Sequence, residues 1–204
     1  MPIDFFHVPC TNHSGNCETE NVRCLQIISN TIFGVSDLNA NSRIPAKIML
    51  DNEQDWDLKI ENPNNRNIKY KAIDYCIDIF RTGNYDVNND ESDIVEFSSS
   101  NVDSVGNGLI KRCEGFLYEE GGSIIFFEIK TSPKGKWLID ARRKFEETIL
   151  SFKEHHPDLA HLVVEPVVSN KSFYRVHQNA SIQMRILQDK IGVPLRISTE
   201  IEVL

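Results

Sequence analysis

Apolar and polar positions follow two different rhythms along this chain, and the changes of rhythm predict its elements. From Ile68 to Phe80, the residues Ala72, Ile73, Cys76, Ile77 and Phe80 recur at three- and four-residue intervals. That is the spacing of one helical face, and it predicts a helix ending near Gly83. Ile94 to Ser98 alternates weakly and predicts a short strand. Leu109 to Tyr118 and Ser123 to Thr131 are β-rich runs around Glu119, Glu120, Gly121 and Gly122, the pattern of a hairpin. Leu138, Ala141, Phe145, Thr148, Ile149 and Phe152 trace an amphipathic helix up to His155, His156 and Pro157. Leu162 to Val168 reads as a buried strand, Ser172 to Ile191 as a helix, and Pro194 to Leu204 as a final alternating strand. Residues 1 to about 66 mix short apolar runs with turn residues and predict an irregular N-terminal extension.

This order of elements predicts an α/β fold with a mixed central sheet flanked by helices. At 204 residues the chain is long enough for one elaborated domain, with residues 67–204 as its core. The longest apolar run, Ile124 to Phe127, is far too short to span a bilayer. Met1 to Cys10 lacks the basic start and apolar run of a secretory signal. The five cysteines are an odd set, and two fall in apolar segments, so a reducing cytoplasm is expected.

A formal charge of −8 argues against a protein that coats nucleic acid through bulk positive charge. It leaves room for an enzyme that concentrates carboxylates to hold cations. In the strand Ser123 to Thr131, alternation projects Glu128 and Lys130 together while Phe127 and Ile129 point the other way. Burying such a pair on an inner strand is costly unless a cation and an anionic substrate reward it. A three-residue loop, Glu120-Gly121-Gly122, pairs Glu119 with Ser123 and sets Glu114 opposite Glu128. Facing carboxylates repel by up to ~1 kcal/mol, which again asks for a cation. The bland alternatives are a surface cross-strand ion pair for Glu128 and Lys130, and an exposed strand carboxylate for Glu114.

Lys111-Arg112-Cys113-Glu114-Gly115-Phe116-Leu117, followed by Phe126-Phe127-Glu128-Ile129-Lys130, resembles the PD-(D/E)xK nuclease superfamily, which includes restriction-endonuclease-like enzymes. The matching motif is short, and Cys113-Glu114 stands where that superfamily has Pro-Asp. The resemblance implies an acidic residue at the end of one strand, an ExK triplet on the next, then a helix and a strand, a plan that residues 68 to 168 follow. It further implies Glu114 and Glu128 as Mg²⁺ ligands, with Mn²⁺ able to substitute, and Lys130 as the group that orients or deprotonates the attacking water. An upstream acidic residue often joins such a site; Asp74, Asp78 and Glu96 are candidates, with Glu96 preferred. The implied activity is metal-dependent hydrolysis of DNA phosphodiesters, with a homodimer natural if both strands are cut.

Lys134, Lys136, Arg142, Arg143 and Lys144 gather positive charge at the start of the following helix, where phosphates can be met; a solvated basic face is the equal alternative. The rival to catalysis is a nuclease-fold protein without turnover that binds or inhibits a partner protein. His7, Cys10, His13, Cys17 and Cys24 include soft zinc ligands, but their spacing is poor. His155 and His156 suit a helix C-terminus. His161 and His177 have no nucleophile in a recognisable elbow, and Gly106-Asn107-Gly108 lacks the rest of a phosphate-cradling loop.

Overall fold

The computed structural model describes residues 3–6, 23–37, 44–81, 95–96, 108–131, 136–172 and 180–203. Its elements run β1 (Leu25–Ile28), β2 (Ile32–Ser36), β3 (Lys47–Met49), β4 (Leu58–Glu61), β5 (Ile68–Ala72), β6 (Phe80–Arg81), β7 (Val95–Glu96), β8 (Gly108–Ile110), β9 (Gly115–Tyr118) and β10 (Ile124–Ile129). Then follow α1 (Trp137–His155), β11 (Val167–Ser169), α2 (Ala180–Ile191), β12 (Arg196–Ile197) and β13 (Glu200–Glu202). The class is α/β with mixed sheets, as the order of apolar runs predicts.

The main sheet has six strands in the order β1-β5-β9-β10-β11-β12. Its first four strands are antiparallel neighbours, whereas β11 lies parallel to β10 and β12 parallel to β11. A parallel neighbour needs a crossover, and α1 supplies it between β10 and β11. Alternation sends Phe116 and Phe126 toward α1, where both meet the ring of Phe152, at centroid distances of 6.0 and 5.3 Å. Tyr70 and Phe127 point the other way and stack at 6.1 Å. That opposite face meets a second, four-stranded sheet ordered β13-β4-β2-β3. The Tyr70 hydroxyl donates to the Ala46 carbonyl, and the Ser169 hydroxyl to that of Asp57. A small third sheet joins β6, β8 and β7.

Several sequence expectations are corrected. Ile68 to Phe80 is not a helix: Ile68–Ala72 is strand β5, paired on both sides, and Ile73, Cys76 and Ile77 are buried in the turns that follow. Pairing on both flanks outweighed the three-four spacing, which buried turn residues also satisfy. The N-terminal region is no irregular extension, because β1 enters the main sheet while β2, β3 and β4 build most of the second. The run from Leu109 to Tyr118 breaks at Lys111–Glu114, with β8 and β9 in different sheets. Pro166 precedes β11, which is shorter than the expected strand, and Leu162 lies in a 3-10 turn. Pro194 to Leu204 divides into β12 and β13, again in separate sheets. The helix expected from Ser172 is described only from Ala180, since residues 173–179 lie outside the described residues. The strand expected at Ile94 to Ser98 is described as the two residues of β7.

Candidate functional site

The hairpin register places the site. Ile124 pairs with Tyr118 and Phe127 with Gly115, the offset expected from a three-residue loop, and Gly121 takes the left-handed turn position at φ 73°. One step beyond Gly115, Glu114 stands opposite Glu128. Its backbone N–H donates to Glu128 Oε2 at 3.1 Å. Its carbonyl accepts from the N–H groups of Ile73 and Asp74 at 2.9 and 3.3 Å. The irregular stretch before it is pinned from α1, where the Thr148 hydroxyl accepts the Cys113 N–H at 3.1 Å. Gly115 permits this crowding, because a Cβ there would stand 2.5 Å from the Lys71 carbonyl oxygen.

Glu128 lies on the helix-facing side of β10 with Phe126 and is fully buried. Its Oε1 accepts two ammonium groups, Lys130 Nζ at 2.9 Å and Lys144 Nζ at 2.8 Å. Lys130 also pairs with Asp140 on the first turns of α1. Asp140 and Lys144 are four residues apart and so share one face of the helix. Arg112, buried as well, holds Asp74 at 3.2 Å and reaches Asp78 at 3.7 Å. From the second sheet comes Asp37, just past β2, whose N–H donates to Asp57 Oδ2 at 2.9 Å.

The electrostatics follow from this crowding. Burial, with the Glu128 charge second, pushes the Glu114 carboxyl well above the usual carboxylate range. Burial likewise raises Asp74 against the opposing pull of Lys144 and Arg112, and raises Asp37 with Glu128 as the next cause. The lysines move the other way from an ordinary buried amine. Desolvation alone would lower Lys144, but Glu128, Glu114 and Asp74 together hold it well above its usual value. Burial is outweighed at Lys130 too, by Glu128 and Asp140, and it stays raised. Asp140 is lowered, since Lys130 overcomes its own desolvation. The cluster is thus rich in carboxyl oxygen, and Glu114, Asp74 and Asp37 rise chiefly because they are buried, with neighbouring carboxylates adding to the shift.

Hard carboxylate oxygens of this kind suit Mg²⁺, which requires only one or two protein carboxylates and completes its shell with water and substrate oxygens. Glu114 and Glu128, opposite one another across the hairpin, are two such carboxyls. Among the described residues, no group of three or more His, Cys, Asp or Glu side chains is placed to hold a metal ion. His7, Cys10, His13 and Cys17 lie outside the described residues.

The structure brings together Glu114, Glu128 and Lys130 as the sequence expects; it joins to them Asp74, one of the three candidate upstream acids, and Lys144, expected instead among the phosphate contacts, and adds Asp140 and Asp37. The preferred upstream acid, Glu96, lies in β7, and its side chain is outside the described residues, as is the whole of Lys134. The other basic residues do not form one phosphate-facing patch. Lys144 is buried in the acidic cluster. Arg142 pairs with Glu146 at 2.5 Å, and its Nε donates to Gln183 of α2 at 2.9 Å. Lys136 is exposed at the start of α1, and Arg143 is half-buried. Lys144 had a signal in the sequence, because it lies three residues from Ala141 and four from Thr148 on the apolar stripe. Asp37 had none, since its strand belongs to the region that resisted reading. Elsewhere, His156 Nε2 accepts the Phe5 N–H at 3.2 Å, and its ring packs on Phe152 at 5.1 Å, so it anchors the N-terminal residues as well as ending the helix. Among the described residues no helix is long and apolar enough to cross a membrane. No family model, curated protein or solved structure matches this chain.

Proposed function

We propose that the protein is a Mg²⁺-dependent nuclease that hydrolyses DNA phosphodiester bonds through Glu114, Glu128 and Lys130. One observation carries the reading: a fully buried carboxylate on a central, otherwise apolar strand pairs with an ammonium one residue past the strand's end, directly across from a second carboxyl whose backbone is tied to the first. Desolvating these charges is expensive, and structural stability alone is a poor reward for it. The strand order β5-β9-β10, then α1, then β11 parallel to β10, also fits the restriction-endonuclease-like plan implied by the sequence resemblance.

In this reading Glu114 and Glu128 hold Mg²⁺, or Mn²⁺ in its place, and the ion supplies Lewis acidity to the scissile phosphate and its attacking water. Lys130, anchored by Glu128 and Asp140, keeps its ammonium where negative charge develops and orients the water. Arg112 positions Asp74 beside Glu114. Lys136, exposed at the start of α1, is placed to meet a phosphate of the backbone. Cleavage of both strands of a duplex would call for a homodimer.

The second reading, a nuclease-like fold that binds a partner protein without turnover, draws on one specific feature: Lys144 already neutralises Glu128. Plasmid and single-stranded DNA cleavage with Mg²⁺ or Mn²⁺ separates the two. The nuclease reading expects cutting by the wild type and loss of at least about 100-fold in Glu128→Ala and Lys130→Ala. Cutting that survives both substitutions, or no cutting in either metal, rejects it.

A further inference from the structure

We propose that Lys144 is a built-in competitor for the divalent ion, its ammonium occupying the cation's place on Glu128 in the free protein and having to leave before an ion binds. This rests on the metal-site reading above, and it concerns a residue outside the Glu-x-Lys triplet. Every Glu128 oxygen is engaged: Oε2 by the Glu114 N–H at 3.1 Å, and Oε1 by Lys130 at 2.9 Å and Lys144 at 2.8 Å. Oε1 already accepts two donors, one for each of its lone pairs, so a hard cation that takes this oxygen must displace one of the two ammonium groups.

The three nearby cationic side chains are not equally replaceable. Arg112 is fixed by Asp74 and by the Ile110 carbonyl, to which Nη1 donates at 3.1 Å. Lys130 has a second anchor in Asp140. Among the described residues Lys144 forms no ion pair except that with Glu128. Its flexible four-carbon stem rises from α1, a separate element from the strand that carries Glu128, so it can withdraw without moving the sheet. Side-chain exposure of 13% for Lys144 and 0% for Glu128 makes their contact poorly screened, which strengthens the competition. Lys144 thus supports the carboxylate cluster while no ion is bound, and weakens the affinity for one.

Calorimetric titration of the full chain with Mn²⁺ and Mg²⁺ tests this. Lys144→Met is expected to bind roughly ten- to a hundred-fold more tightly than the wild type, the usual range for a coupling between two ligands. Lys144→Arg, which keeps the charge, stays within a few-fold of the wild type, and Glu128→Gln loses binding. Equal or weaker binding by Lys144→Met, with a wild type that does bind, overturns the competition and leaves the metal site standing. No binding by either protein overturns both. A measurement that needs no variant is the ¹⁵N-labelled lysine ammonium spectrum of the wild type. The Lys144 signal should shift as Mg²⁺ is added; a signal unmoved at saturation contradicts the proposal.

Discussion

Replacing Glu114 with Gln removes a carboxyl that burial and the Glu128 charge keep protonated well above the ordinary range. The sign is fixed by linkage. The folded form holds this proton at pH values where the unfolded chain has released it, so the native state binds more protons and stability falls as pH rises. The fall begins near the unfolded value, about pH 4.5, and continues until the buried carboxyl itself ionises. Each pH unit in that window costs about 1.4 kcal/mol. A change of about 1 kcal/mol moves Tm by roughly 2–4 °C in a domain of this size. Glu114→Gln escapes the cost. Its Tm advantage over the wild type should therefore be small at pH 5, grow by roughly 3–5 °C per pH unit while the native carboxyl keeps its proton, and level off once it ionises. Thermal unfolding followed by circular dichroism in EDTA, at pH 5, 6, 7 and 8, measures the gap. Excess Mg²⁺ at pH 8 should narrow it, because the ion does for the wild type what the proton did. A gap that does not change with pH, or a Gln variant less stable than the wild type at pH 8, refutes the reasoning.

Phe152 is fully buried against Phe5, Phe116 and Phe126, so Phe152→Ala should cost about 3–5 kcal/mol in urea unfolding; a loss under about 1 kcal/mol would mean the cluster repacks. Gly115→Ala drives a Cβ to 2.5 Å from the Lys71 carbonyl oxygen, a backbone atom that cannot swing aside. It should cost about 2 kcal/mol or more and abolish divalent-ion binding by displacing Glu114, and wild-type behaviour in calorimetry would contradict that. Burial lowers His156, so the native ring stays neutral after the unfolded chain has taken a proton, and stability is lost as pH falls below about 6.5. Protection of the Phe5 amide from hydrogen exchange, which depends on neutral His156 as acceptor, should persist as pH falls through 6.5 and be lost only below it; loss centred at or above pH 6.5 would contradict the lowered value.

The hairpin and the helix after it were legible because each rests on local chemistry. Gly121 supplies the turn, strict alternation sets Glu128 and Lys130 on one face, and the stripe from Leu138 to Phe152 has a single period. Strand β5 is hidden in the sequence pattern because Ile68, Tyr70 and Ala72 owe their conformation to β1 and β9 on either side, partners distant in sequence. Short strands such as β2 and β4 carry too few residues to display a period, and their pairing is again long-range. The site divides along the same line. Glu114, Glu128 and Lys130 belong to one hairpin and were readable from its register. Asp37 and Asp140 join them only because two further segments fold onto it, and the fold alone selects Asp74 from the candidate upstream acids. Lys144 was noticed for its charge, yet its burial follows from its place on the apolar stripe rather than from the basic run around it.

Crystals soaked in Mn²⁺ and measured at the manganese absorption edge address the metal site itself. A single anomalous peak within ligating distance of the Glu114 and Glu128 carboxylates, absent in Glu128→Gln, is the expected result. Saturating Mn²⁺ with no peak at that position, and both lysines still seated on Glu128, would contradict the account.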